Sequence, residues 1–159
     1  MYEKKNKDAR DKCRWTPPPS GWSKLNFDGA LRGNPGIERI RYIINSDSDK
    51  WITKRYNFIG SNINNLVELE ALQEGLQMCQ NLSISKLIIE GDSHIVLNAI
   101  RKRETPNWVL NSKLEEILKL MDLFEDNQIL HIFWEGNKVI GMLTNLSVDG
   151  ENILIYNHN

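Results

Sequence analysis

Cysteine is scarce in this sequence: among its 159 residues only Cys13 and Cys79 carry a thiol, and they form no CxxC pair. Neither a disulfide framework nor a cysteine-rich zinc site is therefore indicated, and both thiols suit a reducing compartment. Long apolar runs are absent as well, since stretches such as Leu87–Ile89 fall far short of the roughly 20 residues that cross a bilayer. The N-terminus is charged and lacks an apolar stretch, so we expect no secretory signal, no contact with a membrane, and a cytoplasmic or nuclear location.

The charge is balanced overall but unevenly distributed along the chain. Lys and Arg number 20 against 21 acidic residues, a net charge of −1, which argues against the sequence-blind nucleic-acid binding of a strongly basic protein. Residues 1–60 carry 13 basic against 7 acidic side chains, whereas residues 61–159 carry 7 against 14. This asymmetry fits a basic binding edge beside an acidic pocket, and it fits equally a basic tail in front of a mildly acidic domain.

The length and the composition, 40% apolar and 26% charged, predict one globular domain, which we expect to be a monomer. Residues 1–21 are polar and end in a run of prolines, which predicts a flexible leader. The domain is predicted over residues 22–150, and residues 151–159 are interpreted as a C-terminal tail.

Hydrophobic periodicity predicts the element order βββαβααβα, a mixed sheet covered by helices in an α/β (mixed α+β) domain. Leu25 and Phe27 alternate with polar residues, which predicts a half-buried strand that ends at Asp28. The other strands are predicted over 37–44, 51–58, 86–90 and 129–133, and the helices from Asn64 or Asn65, after Asp92, over 110–124 and over 138–146.

Three acidic residues lie at the ends of these predicted elements. Asp28 ends the first strand, Glu68 lies in the first turn of the first helix, and Asp92 follows the buried strand 86–90. Carboxylates from separate elements can hold one or two Mg²⁺. Each acid alone has an ordinary explanation, as a turn, capping-box or N-cap residue, but the three together beside a glycine-rich turn favour a metal site. Because clustered acids repel one another without a metal, we expect at least one raised pKa.

Four ordered motifs carry a resemblance to a known family: FDGALRGNPG (27–36), NNLVELEAL (64–72), IIEGDS (88–93) and EGNKV (135–139). Together they resemble ribonuclease H type 1, above all the ribonuclease H-like domains of plant retroelement polyproteins. The resemblance implies the ribonuclease H-like fold, a five-stranded sheet with flanking helices, and cleavage of the RNA strand of an RNA–DNA hybrid with Mg²⁺, or Mn²⁺, as cofactor. It also implies that Asp28, Glu68 and Asp92 are the catalytic, metal-binding carboxylates.

The chain departs from the family pattern at two places. Where the family continues the EGN segment with Ala-Asp, this chain has Ile140 and Gly141, so a fourth metal-site carboxylate is missing. Where the family has small glycines along the second strand, this chain has Arg39 and Arg41. Their side chains share one face of the strand, and they either crowd the site or contact phosphates.

Nucleic-acid contacts are expected beside the acids. The resemblance implies hybrid contacts by Asn34 and Asn65, although asparagine also suits a turn and a helix cap, and Arg32 is a further candidate for phosphate binding. Three hypotheses stay open: a hybrid ribonuclease, active or weakened; a catalytically inactive nucleic-acid-binding module; and a retained fold without a nucleic-acid role.

Overall fold

A mixed six-stranded sheet forms the centre of the described protein. The computed structural model describes residues 16–33, 36–48, 50–60, 63–132 and 154–157. Its strands are β1 (Ser23–Gly33), β2 (Gly36–Ser46), β3 (Lys50–Gly60), β4 (Lys86–Gly91), β5 (Asp126–His131) and β6 (Leu154–Asn157), and its helices are α1 (Asn64–Asn81), α2 (His94–Lys102) and α3 (Trp108–Met121).

The strands lie side by side in the order β5-β4-β1-β2-β3-β6. The pairs β1–β2, β2–β3 and β3–β6 are antiparallel, while β4 is parallel to both of its neighbours, β1 and β5. The parallel pairing between β1 and β4 ends at Asn26 and Glu90. Beyond that point β1 continues to pair with β2 as far as Gly33, while β4 ends at Gly91.

Alternate residues of the central strands build the core with the apolar faces of the helices. Leu25 and Phe27 of β1 and Leu87 and Ile89 of β4 are buried in one cluster with residues from all three helices. Helix α1 packs on β1 and β2, α3 packs on α1, and α2 contacts β5. The sequence of β4 is a short apolar run and that of β1 alternates between apolar and polar residues. Both patterns are expected for strands that helices cover.

The predicted fold class is confirmed, and the sheet has one more strand than predicted. Strand β6 lies within the predicted tail 151–159 and pairs with β3. The predicted helix over 138–146 lies outside the described residues. Strand β5 begins at Asp126 rather than at Ile129, because as a sheet edge it tolerates polar residues that interrupt the apolar pattern.

Two predicted element ends are wrong. Strand β1 does not end at Asp28 but continues to Gly33, because the glycine-rich segment stays paired with β2. Helix α1 is capped by Ile63 without a side-chain hydrogen bond, so Glu68 lies at its fifth position, just beyond the first turn. The side chain of Asn64 instead accepts a hydrogen bond from the backbone N–H of Leu31 (3.0 Å), which ties the start of α1 to β1.

The last residues of the predicted leader contact the sheet. Pro18 is buried, the Lys24 Nζ donates to the carbonyl of Thr16 (2.5 Å), and the Gly21 N–H donates to Asp47 Oδ2 (2.6 Å). The domain bounds themselves stay a prediction. Among the helices of the described residues, none is long and apolar enough to cross a membrane.

Candidate metal centre

Asp28 lies on β1 just past the point where its pairing with β4 ends. It follows Asn26, the last residue of β1 paired with β4, and on its other side it stands opposite Arg41 of β2. The next residue, Gly29, is in close contact with the backbone of α1. Only one fifth of the Asp28 side chain, 20%, is exposed, so its charge interacts strongly with nearby groups.

Gly29 allows α1 to approach β1 closely enough to bring Glu68 to Asp28. A Cβ atom at position 29 would lie 2.7 Å from the backbone nitrogen of Glu68 and from the carbonyl group of Val67, which is closer than any side chain can be. Glycine is therefore required at this crossing because the two backbones are in contact. The contact places the Glu68 carboxylate beside the strand that carries Asp28.

Asp92 directly follows β4 and is held by contacts of the turn that carries it. The next residue, Ser93, caps α2 by accepting a hydrogen bond from the Val96 N–H (3.3 Å). The His131 Nε2–H at the end of β5 donates to the backbone carbonyl of Asp92 (3.0 Å). The His131 ring stacks on that of His94, with the ring centroids 3.7 Å apart. These contacts fix the backbone from which the Asp92 side chain extends.

The three predicted carboxylates meet in one place. One oxygen from each of Asp28, Glu68 and Asp92 lies within 4.8 Å of the others, and each residue is partly exposed. Glu68 Oε2 is buried and accepts no hydrogen bond from the described residues. Clustered carboxylate oxygens, one of them without a donor, are what a hard divalent cation such as Mg²⁺ or Mn²⁺ binds. The residues present therefore fit a divalent metal ion.

The cluster perturbs the acid chemistry of Glu68. Burial, followed by the charges of Asp92 and Asp28, raises the pKa of Glu68 from its ordinary value of 4.5 to about 7, against the lowering effect of a hydrogen bond from Ser93. The expected raised pKa within the acid cluster is thus present. A bound dication acts in the opposite direction, because it favours the ionised carboxylate.

Of the residues predicted to contact nucleic acid, Arg41 contacts the acid cluster directly, and Arg39, Asn65 and Arg32 lie on β2, α1 and β1. The Arg41 guanidinium forms an ion pair with the Asp28 carboxylate, and Arg39 lies two residues earlier on the same face of β2, partly buried. Asn65 is the second residue of α1, about one turn before Glu68. Arg32 lies on β1 past Asp28, whereas Asn34 lies outside the described residues, as do Gly141 and the EGNKV motif.

Some contacts at the site carry no local signal in the sequence. The contact between His131 and Asp92 joins residues 39 positions apart, and it follows from the parallel register that sets His131 opposite Gly91. The Arg41–Asp28 pair follows in the same way from the antiparallel register of β1 and β2. Both contacts depend on strand register, which the residues alone do not reveal.

Comparison with known proteins places this geometry in a family. Residues 26–147 match the reverse transcriptase-like family. Ribonuclease HI of Halobacterium salinarum is 28% identical over an alignment of 138 positions, which covers 84% of this chain and 67% of that protein. The crystal structure of RNase H1 from the same organism superimposes with a TM-score of 0.68 at 26% identity, over 74% of this chain and 89% of that one. The structure of LC11-RNase H1 in complex with an RNA/DNA hybrid superimposes with a TM-score of 0.65 at 22% identity, over 78% of this chain and 94% of that one.

Proposed function

The chain belongs to the reverse transcriptase-like family and has the ribonuclease H fold, and we propose that it is a divalent-cation-dependent ribonuclease that cleaves the RNA strand of an RNA–DNA hybrid. The observation that carries this proposal is the convergence of Asp28, Glu68 and Asp92 within 4.8 Å. The relative from Halobacterium salinarum, named ribonuclease HI, supports nuclease chemistry. The substrate is chosen because LC11-RNase H1, a protein of the same fold, was solved with a bound RNA/DNA hybrid.

In the proposed reaction the three carboxylates would hold Mg²⁺ or Mn²⁺. When bound, these ions supply Lewis-acid stabilisation of the attacking and leaving oxygens in the hydrolysis of a phosphodiester. Asp28, Glu68 and Asp92 are each proposed to supply a carboxylate ligand. Glu68 must lose its proton to serve as a ligand, so the pKa of about 7 predicts weak metal binding in acidic solution.

The chain's own residues also orient the substrate in this proposal. Asn65 and Arg39 flank the acid cluster on α1 and β2, where they can contact the sugar-phosphate backbone. Arg32 and Asn34 are proposed for the same role on the basis of the sequence. A phosphate contact by Arg41 would require its ion pair with Asp28 to open. Binding through phosphates predicts an affinity that falls as the salt concentration rises. That the protein acts as a monomer in the cytoplasm or the nucleus stays a prediction.

A second candidate function is that of a nucleic-acid-binding module without catalysis. Two observations favour it: position 141 is glycine where the family pattern has an acid, and a cationic side chain is bound to Asp28. Both changes reduce the negative charge available to a pair of dications. Weakened metal binding would leave the groove able to bind a hybrid while the cleavage rate falls.

The test compares cleavage and binding of a labelled RNA–DNA hybrid, with double-stranded RNA, double-stranded DNA and single-stranded RNA as alternative substrates. Wild type, Asp28→Asn and the control Asp122→Asn are assayed above pH 7 with Mg²⁺ or Mn²⁺. Asp122 is a suitable control because it is an exposed acid paired with Arg103. We expect hybrid cleavage to fall at least about a hundredfold, equivalent to about 2.7 kcal/mol, only in Asp28→Asn.

The binding data separate the two candidates. Hybrid binding without cleavage under either ion would support the inactive module. Cleavage that persists in Asp28→Asn would contradict the proposed site, and the absence of both binding and cleavage would contradict both functions.

A further inference from the structure

A permanent positive charge is placed directly against the acid cluster. Asp28 of β1 stands opposite Arg41 of β2, and the Arg41 Nη2 group pairs with Asp28 Oδ2. The two side chains are only 19% and 20% exposed, so water screens this pair less than it would a surface pair. Arginine keeps its proton throughout the physiological pH range, so its charge does not depend on pH.

The pair involves a carboxylate that lies within 4.8 Å of both other acids of the cluster. A guanidinium bound to Asp28 therefore lowers the repulsion among Asp28, Glu68 and Asp92. The Asp28 carboxylate is also one of the three that a divalent cation would need as ligands. A guanidinium and a metal ion cannot both bind one carboxylate at full strength, because the two cations repel each other at this separation.

We propose that Arg41 is an internal counter-ion of the acid cluster, which a divalent cation must displace from Asp28 in order to bind. This inference rests on the metal site of the proposed function. This role of Arg41 differs from the two that the sequence suggested, which are crowding of the site and contact with phosphates. Because the coupling between two ligands of one site is reciprocal, Arg41 weakens metal binding by the same factor by which the metal weakens the ion pair.

Two opposite effects of removing Arg41 follow. Without metal, Arg41→Gln leaves Asp28 next to two other acids without the guanidinium that pairs with it, so the protein becomes less stable. With metal, the same variant binds the cation more tightly because no ion pair has to be broken. We expect the affinity for Mn²⁺ to rise about tenfold, which corresponds to about 1.4 kcal/mol.

The experiment measures binding of Mn²⁺ alone by calorimetry, together with thermal unfolding in chelator and in Mn²⁺. Arg103→Gln is the control, since it also removes an arginine that is paired with an aspartate, here the exposed pair with Asp122. Arg41→Lys keeps the charge but loses the forked donor geometry, so its Mn²⁺ affinity should lie between those of wild type and Arg41→Gln.

Support requires that Arg41→Gln unfold at a lower temperature than wild type in chelator and be stabilised more by Mn²⁺. The Mn²⁺ affinity of the Arg103→Gln control should stay within about twofold of wild type, as expected for a screened surface charge. Equal Mn²⁺ affinity in wild type and Arg41→Gln would overturn the proposal, as would an unchanged unfolding temperature in chelator. Asp28→Asn separates the two levels of inference. If it abolishes Mn²⁺ binding while Arg41→Gln has no effect, the counter-ion role fails and the metal site stands. If no variant and no wild-type sample binds Mn²⁺, the proposed metal site fails as well.

Discussion

The pKa of Glu68 makes the stability of the metal-free protein depend on pH in a defined way. The folded-state pKa is about 7 against an ordinary value of 4.5, so the folded protein holds this proton more tightly than the unfolded chain does. Below pH 4.5 both states are protonated at Glu68 and the group has no effect on stability. As the pH rises to 7, the unfolded chain loses the proton first, so the free energy of unfolding decreases.

The magnitude follows from the size of the shift. One pKa unit corresponds to about 1.4 kcal/mol, so the rise from 4.5 to about 7 lowers the free energy of unfolding by at most about 3 kcal/mol. The Glu68→Gln variant carries a neutral side chain of the same size at every pH. It should match wild type near pH 4.5 and exceed it by up to that amount above pH 7.

Urea unfolding of wild type and Glu68→Gln at a series of pH values, in chelator, measures this difference. Glu125→Gln, which removes an exposed acid after α3, is the control and should follow wild type at every pH. Addition of Mn²⁺ above pH 7 should stabilise wild type more than Glu68→Gln. Parallel pH profiles for wild type and Glu68→Gln would refute the reasoning, because they would mean that folding leaves the proton affinity of Glu68 unchanged.

Four further predictions concern other parts of the molecule. Gly29→Ala should lower the free energy of unfolding by about 1–3 kcal/mol in urea titrations, because the added carbon would collide with the backbone of α1. Lys24→Met should cost about 3 kcal/mol or more, since it leaves its buried partner Glu90 unpaired, and adding Glu90→Leu should restore most of the loss. Gly141→Asp should raise Mg²⁺-dependent hybrid cleavage at least about tenfold, or about 1.4 kcal/mol, and equal rates would show that the lost acid is not limiting. Trp108→Ala, which removes a ring that is 84% exposed, should weaken hybrid binding by about 1–3 kcal/mol per stacked base while leaving stability within about 0.5 kcal/mol.

The convergence of the three acids could be predicted from the sequence because each acid lies next to a strand or on a helix that a local hydrophobic pattern predicts. Apolar runs and alternation predict the strands that precede Asp28 and Asp92, and helical spacing predicts the helix that carries Glu68. The extent of β1 and the presence of β6 depend on pairing with other strands, which hydrophobic periodicity within one segment does not reveal. Strand β1 continues beyond Asp28 because β2 supplies its hydrogen bonds, and a glycine-rich segment gives no sign of that partner. Strand β6 has four residues and pairs at the sheet edge, so its sequence carries too little periodicity to be recognised.

The ion pair between Arg41 and Asp28 shows how a small local feature determines the charge of the site. Gly33 pairs with Gly36, so two residues separate β1 from β2, and this separation fixes every pairing along the hairpin. Counting back five positions on β1 and forward five on β2 brings Asp28 opposite Arg41. A shift of one residue would turn the arginine toward the other face of the sheet. An acid at position 28 and an arginine at position 41 can form an ion pair, but they are brought together because two residues separate Gly33 from Gly36. The electrostatics of the acid cluster therefore depend on the number of residues between β1 and β2, several positions away from any of its carboxylates.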